Sequence, residues 1–147
     1  MRFIEVTGNK KEYLDLLLLA DEQEDMIDRY IHYGRMFVLD DKGIKCECVI
    51  TDEGNGVLEI KNIATIPEYQ RKGYAKAMID FVVRTFKEQY SILQVGTGDS
   101  PMTIPFYEQC GFVRSHTIPN FFTENYDHPI VERGIQLIDM VYLRRPF

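Results

Sequence analysis

The chain has 147 residues, of which 45% are hydrophobic and 27% are charged, a balance typical of a globular protein rather than a disordered or membrane chain. Its length suits a single domain over residues 1–147, because two halves of this size would each bury little surface. The net charge of −6 argues against broad nucleic-acid binding, which needs a basic face, and favours a neutral or cationic partner.

Strand and helix signals alternate through the first 65 residues. Alternating apolar residues predict strands, separated by turns such as Gly8-Asn9 and Asp40-Asp41-Lys42-Gly43. Apolar residues at helical spacing, followed by a run with five acidic residues, predict two helical segments. The predicted strands are residues 3–7, 36–39, 44–50 and 57–65, and the predicted helical segments are residues 13–20 and 21–28. These strands are expected to form an antiparallel meander.

The second half of the chain predicts a crossover connection and therefore a mixed sheet. Pro67 ends the strand at residues 57–65, a helix begins at about Gly73, and residues 91–95 form the next strand. Two strands joined by a helix pair in parallel through a right-handed crossover. The fold class is thus α+β, a mostly antiparallel sheet with one parallel central strand pair flanked by helices. A short helix around residues 104–109, capped by Gly111, then precedes strands at residues 112–113 and 135–143.

The cysteines and the apolar runs bear on location and on metal binding. The chain has an odd number of cysteines, namely Cys46, Cys48 and Cys110, and no secretory leader is recognised. Together these features predict reduced thiols and a cytoplasmic protein. No second Cys or His pair stands at zinc-site spacing, so no metal is expected. The longest apolar run, residues 16–20, is too short to cross a bilayer, and no membrane partner is expected.

The segment Gln70-Arg71-Lys72-Gly73-Tyr74-Ala75 stands between a strand and a helix. No Ser, Thr, Asp or Asn immediately precedes Gly73, so the first amides of the helix have no side-chain partner and can receive an anion. Gly73 and Ala75 permit close approach, while Arg71 and Lys72 add positive charge beside the helix dipole. The pattern predicts a pyrophosphate cradle, and the alternative is an uncapped helix after a surface loop. Gly96-Thr97-Gly98 lacks the rest of a phosphate motif and is interpreted as a strand exit.

Two segments together carry a resemblance to a known family. Gln70, Gly73 and Ala75 resemble the coenzyme A-binding motif Gln/Arg-x-x-Gly-x-Gly/Ala of the GCN5-related N-acetyltransferase (GNAT) superfamily. Downstream, the segment from Phe106 to Phe112 resembles the Tyr-x-x-x-Gly-Phe signature of the same family. The sequence departs from the family pattern at Asp99-Ser100-Pro101, where many members carry an asparagine that contacts the cofactor.

The resemblance implies that acetyl-CoA donates an acetyl group to a primary amine by direct attack in a ternary complex. It also implies that Tyr107 protonates or hydrogen-bonds the departing thiolate. Glu59, eleven residues before Gln70, is the candidate base for the amine, and the alternative is an exposed Glu paired with a neighbour such as Lys61. The residues implied in coenzyme A binding are Ile63, Ala64, Thr65, Gln70, Arg71, Lys72, Gly73, Tyr74 and Ala75.

The sequence says less about the part of the site that binds the amine acceptor than about the part that binds coenzyme A. In this fold the first helices and the last strands surround the acceptor-binding end of the site. In this chain they correspond to the acidic residues 21–28 and to the aromatic segment with Phe121, Phe122, Tyr126 and His128. Acidic and aromatic groups suit a cationic amine. We therefore expect a small-molecule acceptor; a protein α-amine or lysine, and a non-catalytic acyl-CoA-binding module, are the alternatives. Residues 115–133 have the length of a lid or a dimer arm, which leaves a homodimer open.

Overall fold

The computed structural model describes residues 1–147 and contains nine strands and five α-helices. The strands are β1 (Arg2–Val6), β2 (Arg35–Asp40), β3 (Ile44–Gly54), β4 (Val57–Thr65), β5 (Ile92–Gly98), β6 (Val113–Ile118), β7 (Val131–Glu132), β8 (Ile135–Gln136) and β9 (Met140–Pro146). The helices are α1 (Leu14–Ala20), α2 (Glu24–Asp28), α3 (Tyr74–Phe86), α4 (Ile104–Gln109) and α5 (Phe121–Asn125), with 3-10 turns at Lys10–Tyr13 and Pro67–Tyr69. None of the helices combines the length and the apolar character that a membrane crossing requires.

Seven strands form one sheet in the order β1-β2-β3-β4-β5-β9-β6, and β7 with β8 forms a separate hairpin. All neighbours in the large sheet are antiparallel except β4 and β5, which α3 connects in parallel. The predicted fold class is confirmed: a mostly antiparallel sheet with one parallel central pair.

The central strands β4 and β5 separate partway along their length. Their pairing covers only Val57–Ile60 against Ile92–Val95, although β4 continues to Thr65 and β5 continues to Gly98. Where they part, the β3–β4 register shifts so that Lys61 has no partner opposite it, the sign of a β-bulge. An opening therefore forms in the middle of the sheet.

Apolar side chains cover both faces of the sheet. Helix α3 buries Met78, Ile79, Val82 and Phe86, which recur at helical spacing, in a cluster of 19 residues on one face. On the opposite face, α1 and α2 pack with β2 and β3 in a second cluster of seven. A third cluster joins only Phe122, Ile130 and Leu137 beneath α5. The sheet thus separates two main packing layers, with a small satellite beside one of them.

Three sequence predictions in the second half of the chain are wrong. The Gly96-Thr97-Gly98 stretch is not a strand exit but the end of β5, paired with β9. Glycine is needed there for packing, because a Cβ on Gly98 would lie 2.5 Å from Leu137 Cδ1. Residues 135–143 are two strands rather than one, and β6 extends to Ile118.

The interpretation of residues 115–133 as a long loop also needs correction. The segment contains the end of β6, helix α5 and strand β7, and it buries Phe122 and Ile130. Helix α5 has five residues, too few to give a periodic signal in the sequence. The segment is a packed wall, and the loop-length argument for a lid or a dimer arm does not apply to it.

Candidate active site

A cavity of about 720 Å³ occupies the opening between β4 and β5. Its lining comes from both layers of the fold. Tyr107 belongs to the α3-side cluster, whereas Asn62 donates hydrogen bonds to the Leu17 carbonyl and the Tyr30 hydroxyl on the α1 and α2 side. A cavity of this size accommodates a small molecule, and it passes from one face of the sheet to the other.

The N-terminus of α3 contributes to the cavity without a side-chain cap. Gly73 precedes the helix with φ +88°, a left-handed conformation that a non-glycine residue adopts only at a cost, and a Cβ at this position would meet no neighbouring atom within 4 Å. The first amides of this helix are therefore open to an anion. Arg71, two residues earlier, also has a positive φ of 63°.

Side chains of the same loop take different positions. Gln70, Arg71, Tyr74 and Ala75 line the cavity, whereas Lys72 does not. The Lys72 ammonium instead lies 5.6 Å from the centre of the Tyr69 ring. The Tyr74 hydroxyl donates a 2.7 Å hydrogen bond to Asp41, and Gln70 Nε2 donates to the Thr65 carbonyl at 3.2 Å. The loop thus presents one cation, Arg71, directly to the cavity, and Lys72 stands outside its lining.

The last residues of β4 form a second part of the lining. Ile63, Ala64 and Thr65 all line the cavity and pair with β3 on one side. On the side of β5 they have no strand partner, because the parallel pairing ends at Ile60. Peptide groups that point towards β5 from this stretch are therefore available to a ligand.

Tyr107 lies on α4, lines the cavity and is only 7% exposed. Its ring packs edge-to-face against Phe106 and Phe112, with centroids 5.2 Å and 5.7 Å away. Burial raises the pKa of the Tyr107 phenol well above its usual value. The hydroxyl consequently stays protonated and can donate a hydrogen bond into the cavity.

The residues that replace the expected asparagine serve the turn before α4. Ser100 is buried, and its Oγ accepts a 3.1 Å hydrogen bond from the Met102 amide. The nearby hydroxyl groups of Thr97 and Thr103 lie 2.8 Å apart, and both residues line the cavity. Polar groups at this position are therefore hydroxyls rather than an amide.

Glu59 lies in β4 but does not line the cavity. Gln94 Nε2 donates to its Oε1 at 2.5 Å, the Lys61 ammonium lies 2.9 Å from its Oε2, and the Tyr142 hydroxyl donates to Oε2 at 3.3 Å. The predicted pairing with Lys61 is present. The expectation of an exposed strand face is wrong, because Glu59 is only 4% exposed and its side chain contacts Gln94 of β5 and Tyr142 of β9.

Asp21 immediately follows α1, and its carboxylate lines the cavity on the sheet face that α1 and α2 cover. The Tyr30 hydroxyl donates to its Oδ2 at 2.9 Å, and the Tyr126 hydroxyl donates to its Oδ1 at 2.5 Å. Burial raises the pKa of Asp21, and the two phenol hydrogen bonds oppose that shift. The sequence indicated this acidic region and Tyr126 as an acceptor wall, but no local signal distinguished Asp21 from its acidic neighbours.

A second buried carboxyl, Glu47, lies near this network without lining the cavity. Neither Glu47 oxygen is in hydrogen-bonding geometry with a donor, and Asn62 Oδ1 is also without a partner. Burial raises the pKa of Glu47 well above its ordinary value, and the Ala64 amide opposes this to a smaller extent. Burial therefore favours the protonated form of Glu47 in the folded protein.

Comparison with known proteins gives a consistent result. The family model of the acetyltransferase (GNAT) domain matches residues 32–114. The chain is 33% identical over 135 residues to the uncharacterized N-acetyltransferase YvbK of Bacillus subtilis strain 168, a match that covers 90% of this chain and 87% of the relative.

Solved structures extend the similarity to nearly the whole chain. A GNAT family acetyltransferase from Elizabethkingia anophelis with acetyl-CoA bound has a TM-score of 0.92 and 31% identity, covering 99% of this chain and 97% of that one. A Bacillus subtilis acetyltransferase in complex with CoA has a TM-score of 0.89 and 31% identity, covering 99% and 98%. The chain is therefore similar in sequence and in fold to acetyltransferases that were crystallised with coenzyme A species.

Proposed function

The chain belongs to the GNAT acetyltransferase family, and from this we propose that it transfers an acetyl group from acetyl-CoA to the primary amine of a small molecule. The amine attacks directly while both substrates are bound. The observation that carries this proposal is the cavity between β4 and β5, because it joins the uncapped start of α3 on one face to a carboxylate with aromatic neighbours on the other. Two substrates that enter from opposite faces would meet at this opening.

The described residues fit coenzyme A at one end of the cavity. The start of α3, with open space at Gly73 and the Arg71 guanidinium beside it, suits a pyrophosphate. The peptide groups of Ile63, Ala64 and Thr65 have no strand partner on the side of β5, although the Thr65 carbonyl already accepts from Gln70. The unpaired groups of this stretch suit the amide groups of a pantetheine arm and would help polarise an acyl carbonyl. Acetyl-CoA supplies the acyl thioester.

Tyr107 is proposed to stabilise the departing thiolate. A phenol with a raised pKa is a much weaker acid than a thiol of pKa about 8.5, which makes a hydrogen bond to the thiolate more favourable than full proton transfer. Tyr107→Phe should therefore lower kcat by about 100-fold, near the lower end of acid–base effects, without weakening acetyl-CoA binding. Tyr90→Phe is the matched control, because its phenol hydrogen-bonds Asp52 outside the cavity.

The small-molecule acceptor is supported by the walls of the other end. Phe122, Ile130 and Leu137 line that side of the cavity from a packed segment rather than from an open groove. A protein α-amine or lysine would have to be threaded past these side chains. A non-catalytic acyl-CoA-binding module would bind the same ligand but would release no thiol.

Two measurements, made one after the other, test the proposal. Acetyl-CoA and CoA should raise the melting temperature with concentration, whereas ATP at the same concentrations should do so far less. Release of free thiol from acetyl-CoA should then depend on an added amine, measured across polyamines, amino sugars, arylalkylamines and peptides. Stabilisation without thiol release from any amine would favour the binding module, and turnover restricted to peptides would favour a protein acceptor.

Glu59 keeps its place as the sequence-based candidate for the base, and Glu59→Gln is its test. Two observations count against a base role for Glu59. It has three hydrogen-bonding or ionic partners, and it does not line the cavity. A drop in kcat that fades as the pH rises towards the amine's own pKa of about 10.4 would support a base role. An equal drop at every pH would indicate a structural role.

A further inference from the structure

Three carboxylate residues line the cavity, namely Asp21, Glu22 and Glu132. Glu22 is exposed and lies 3.1 Å from His128 Nε2, an ionic contact outside the cavity network. Asp21 differs because both of its oxygens accept hydrogen bonds from phenol donors. It is the carboxylate of the cavity whose orientation the fold fixes.

The hydrogen-bond network that holds Asp21 continues into the core. Asn62, which is 3% exposed, donates one hydrogen bond to the Tyr30 hydroxyl and one to the Leu17 carbonyl, each at 3.0 Å. Because Tyr30 accepts from Asn62, its own proton is free to be donated to Asp21. Tyr126 approaches the same carboxylate from the end of α5, 105 residues away in sequence.

An ionised carboxylate offers about four acceptor positions, and the two phenols occupy two of them. The remaining acceptor positions of the Asp21 carboxylate can accept hydrogen bonds from an ammonium group in the cavity. Phe122, Ile130 and Leu137 line the cavity and pack with Tyr126, so they would desolvate the ammonium, which favours its loss of a proton.

We propose that Asp21 takes up the proton that the acceptor ammonium must lose, and that this acceptor is a primary amine carried by an apolar group. The inference rests on the proposed acetyl transfer and assigns a catalytic residue on the acceptor side. A polyamine fits less well, because its second ammonium would have to lose water against the apolar side chains of Phe122, Ile130 and Leu137.

Atoms and electrons balance in this step. The ammonium nitrogen gives one proton to the Asp21 carboxylate, and the neutral amine then forms a bond to the thioester carbonyl carbon. The carbon–sulfur bond breaks with its electron pair moving to sulfur, and the second nitrogen proton ends on the thiol. Asp21 finally releases its proton to solvent, so the products are the amide, free CoA and one proton.

The charged and titratable groups that face Asp21 bear on the pH dependence. Tyr30 and Tyr126 hydrogen-bond it, Arg29 lowers its pKa and Asp25 raises it. Burial outweighs the groups that lower the pKa, so the direction of the shift is upward. A carboxylate with a raised pKa is a stronger base, which suits proton removal near neutral pH.

The test compares Asp21→Asn with wild type and with Glu59→Gln, using 2-phenylethylamine and spermidine as acceptors. We expect Asp21→Asn to lower kcat at neutral pH by about 100-fold or more and to keep its stabilisation by acetyl-CoA. The loss should shrink as the pH approaches the amine's pKa of about 10.4, where the acceptor needs no base. Asp40→Asn, whose carboxylate pairs with Arg2 away from the cavity lining, is the matched control and should change kcat less than about threefold. In wild type, 2-phenylethylamine should exceed spermidine in kcat/KM by about tenfold.

Each other outcome has a distinct meaning. Wild-type activity in Asp21→Asn, or a loss of equal size at every pH, would overturn the base assignment while leaving acetyl transfer intact. Preference for spermidine would overturn the acceptor class. Wild-type protein that releases no thiol with any amine would overturn the proposed function and this inference together. If Asp21→Asn fails to fold, Tyr126→Phe removes one donor from the same carboxylate, and an unchanged pH profile of kcat/KM in that variant would count against the assignment.

Discussion

Replacing Glu47 by glutamine should make the stability of the protein depend less steeply on pH. Glu47 is fully buried on β3, and neither of its carboxyl oxygens has a hydrogen-bond donor. Burial raises its pKa well above the ordinary value, so the folded protein keeps the proton that the unfolded chain loses. Glutamine has nearly the same shape and cannot titrate.

The sign and size of the effect follow from proton linkage. Above the ordinary Glu pKa of about 4.3 the unfolded chain binds fewer protons than the folded protein, so the free energy of unfolding falls as the pH rises. The fall is about 1.4 kcal/mol per pH unit until the raised pKa is reached. From about pH 5 up to that raised pKa, the wild type should thus lose stability relative to Glu47→Gln at this rate.

Urea denaturation of both proteins at several pH values measures this difference directly, because all other titrating groups are shared. Glu5→Gln is the matched control. The Arg35 guanidinium hydrogen-bonds Glu5 at 2.9 Å and lowers its pKa, so the stability from this pair is lost only as the pH falls below about 4.3. Its difference from wild type should stay constant over the same range. A constant difference for Glu47→Gln as well would refute the reasoning, since Glu47 would then be ionised in the folded protein.

Two further predictions concern glycines, each with a control in the same chain. Gly98→Ala should cost about 1–3 kcal/mol in urea denaturation, because its Cβ would meet Leu137 at 2.5 Å, whereas Gly8→Ala, with no atom within 4 Å, should leave stability unchanged or slightly higher. Equal stabilities would mean that Leu137 yields freely. Gly73→Ala and Gly54→Ala should each lose about 1–2 kcal/mol because both have positive φ and open surroundings, but only Gly73→Ala should raise the Kd for CoA in calorimetric titration. An unchanged Kd in both variants would argue against the phosphate cradle.

Elements with strong local boundaries could be predicted from the sequence. Strand β4 and helix α4 begin and end where the sequence predicts, because a glycine-rich turn and Pro67 flank the strand and Gly111 follows the helix. The parallel pairing of β4 with β5 follows from the strand-helix-strand order alone. Elements that depend on distant partners were missed: β5 continues through Gly98 because it pairs with β9, whose position no local pattern reveals.

The same distinction separates the two ends of the candidate site. The loop from Gln70 to Ala75 is contiguous, so its spacing carried the information about an anion cradle. Asp21 and Tyr126 meet only after folding, and their contact could not be read from either segment. For Glu59 the sequence suggested pairing with Lys61 as the alternative to a base role, and that pairing is present, but its burial depends on neighbours on β5 and β9.

The small cluster of Phe122, Ile130 and Leu137 has a consequence for local motion. Opening this segment would expose three buried apolar side chains rather than the 19 of the main cluster, so it should cost much less free energy than global unfolding. In hydrogen exchange, the amides of Phe122 and Leu137, which bond to the Ile138 and Ile130 carbonyls, should then take up deuterium before those of the central strands. We therefore expect this wall of the cavity to open more often than the central sheet.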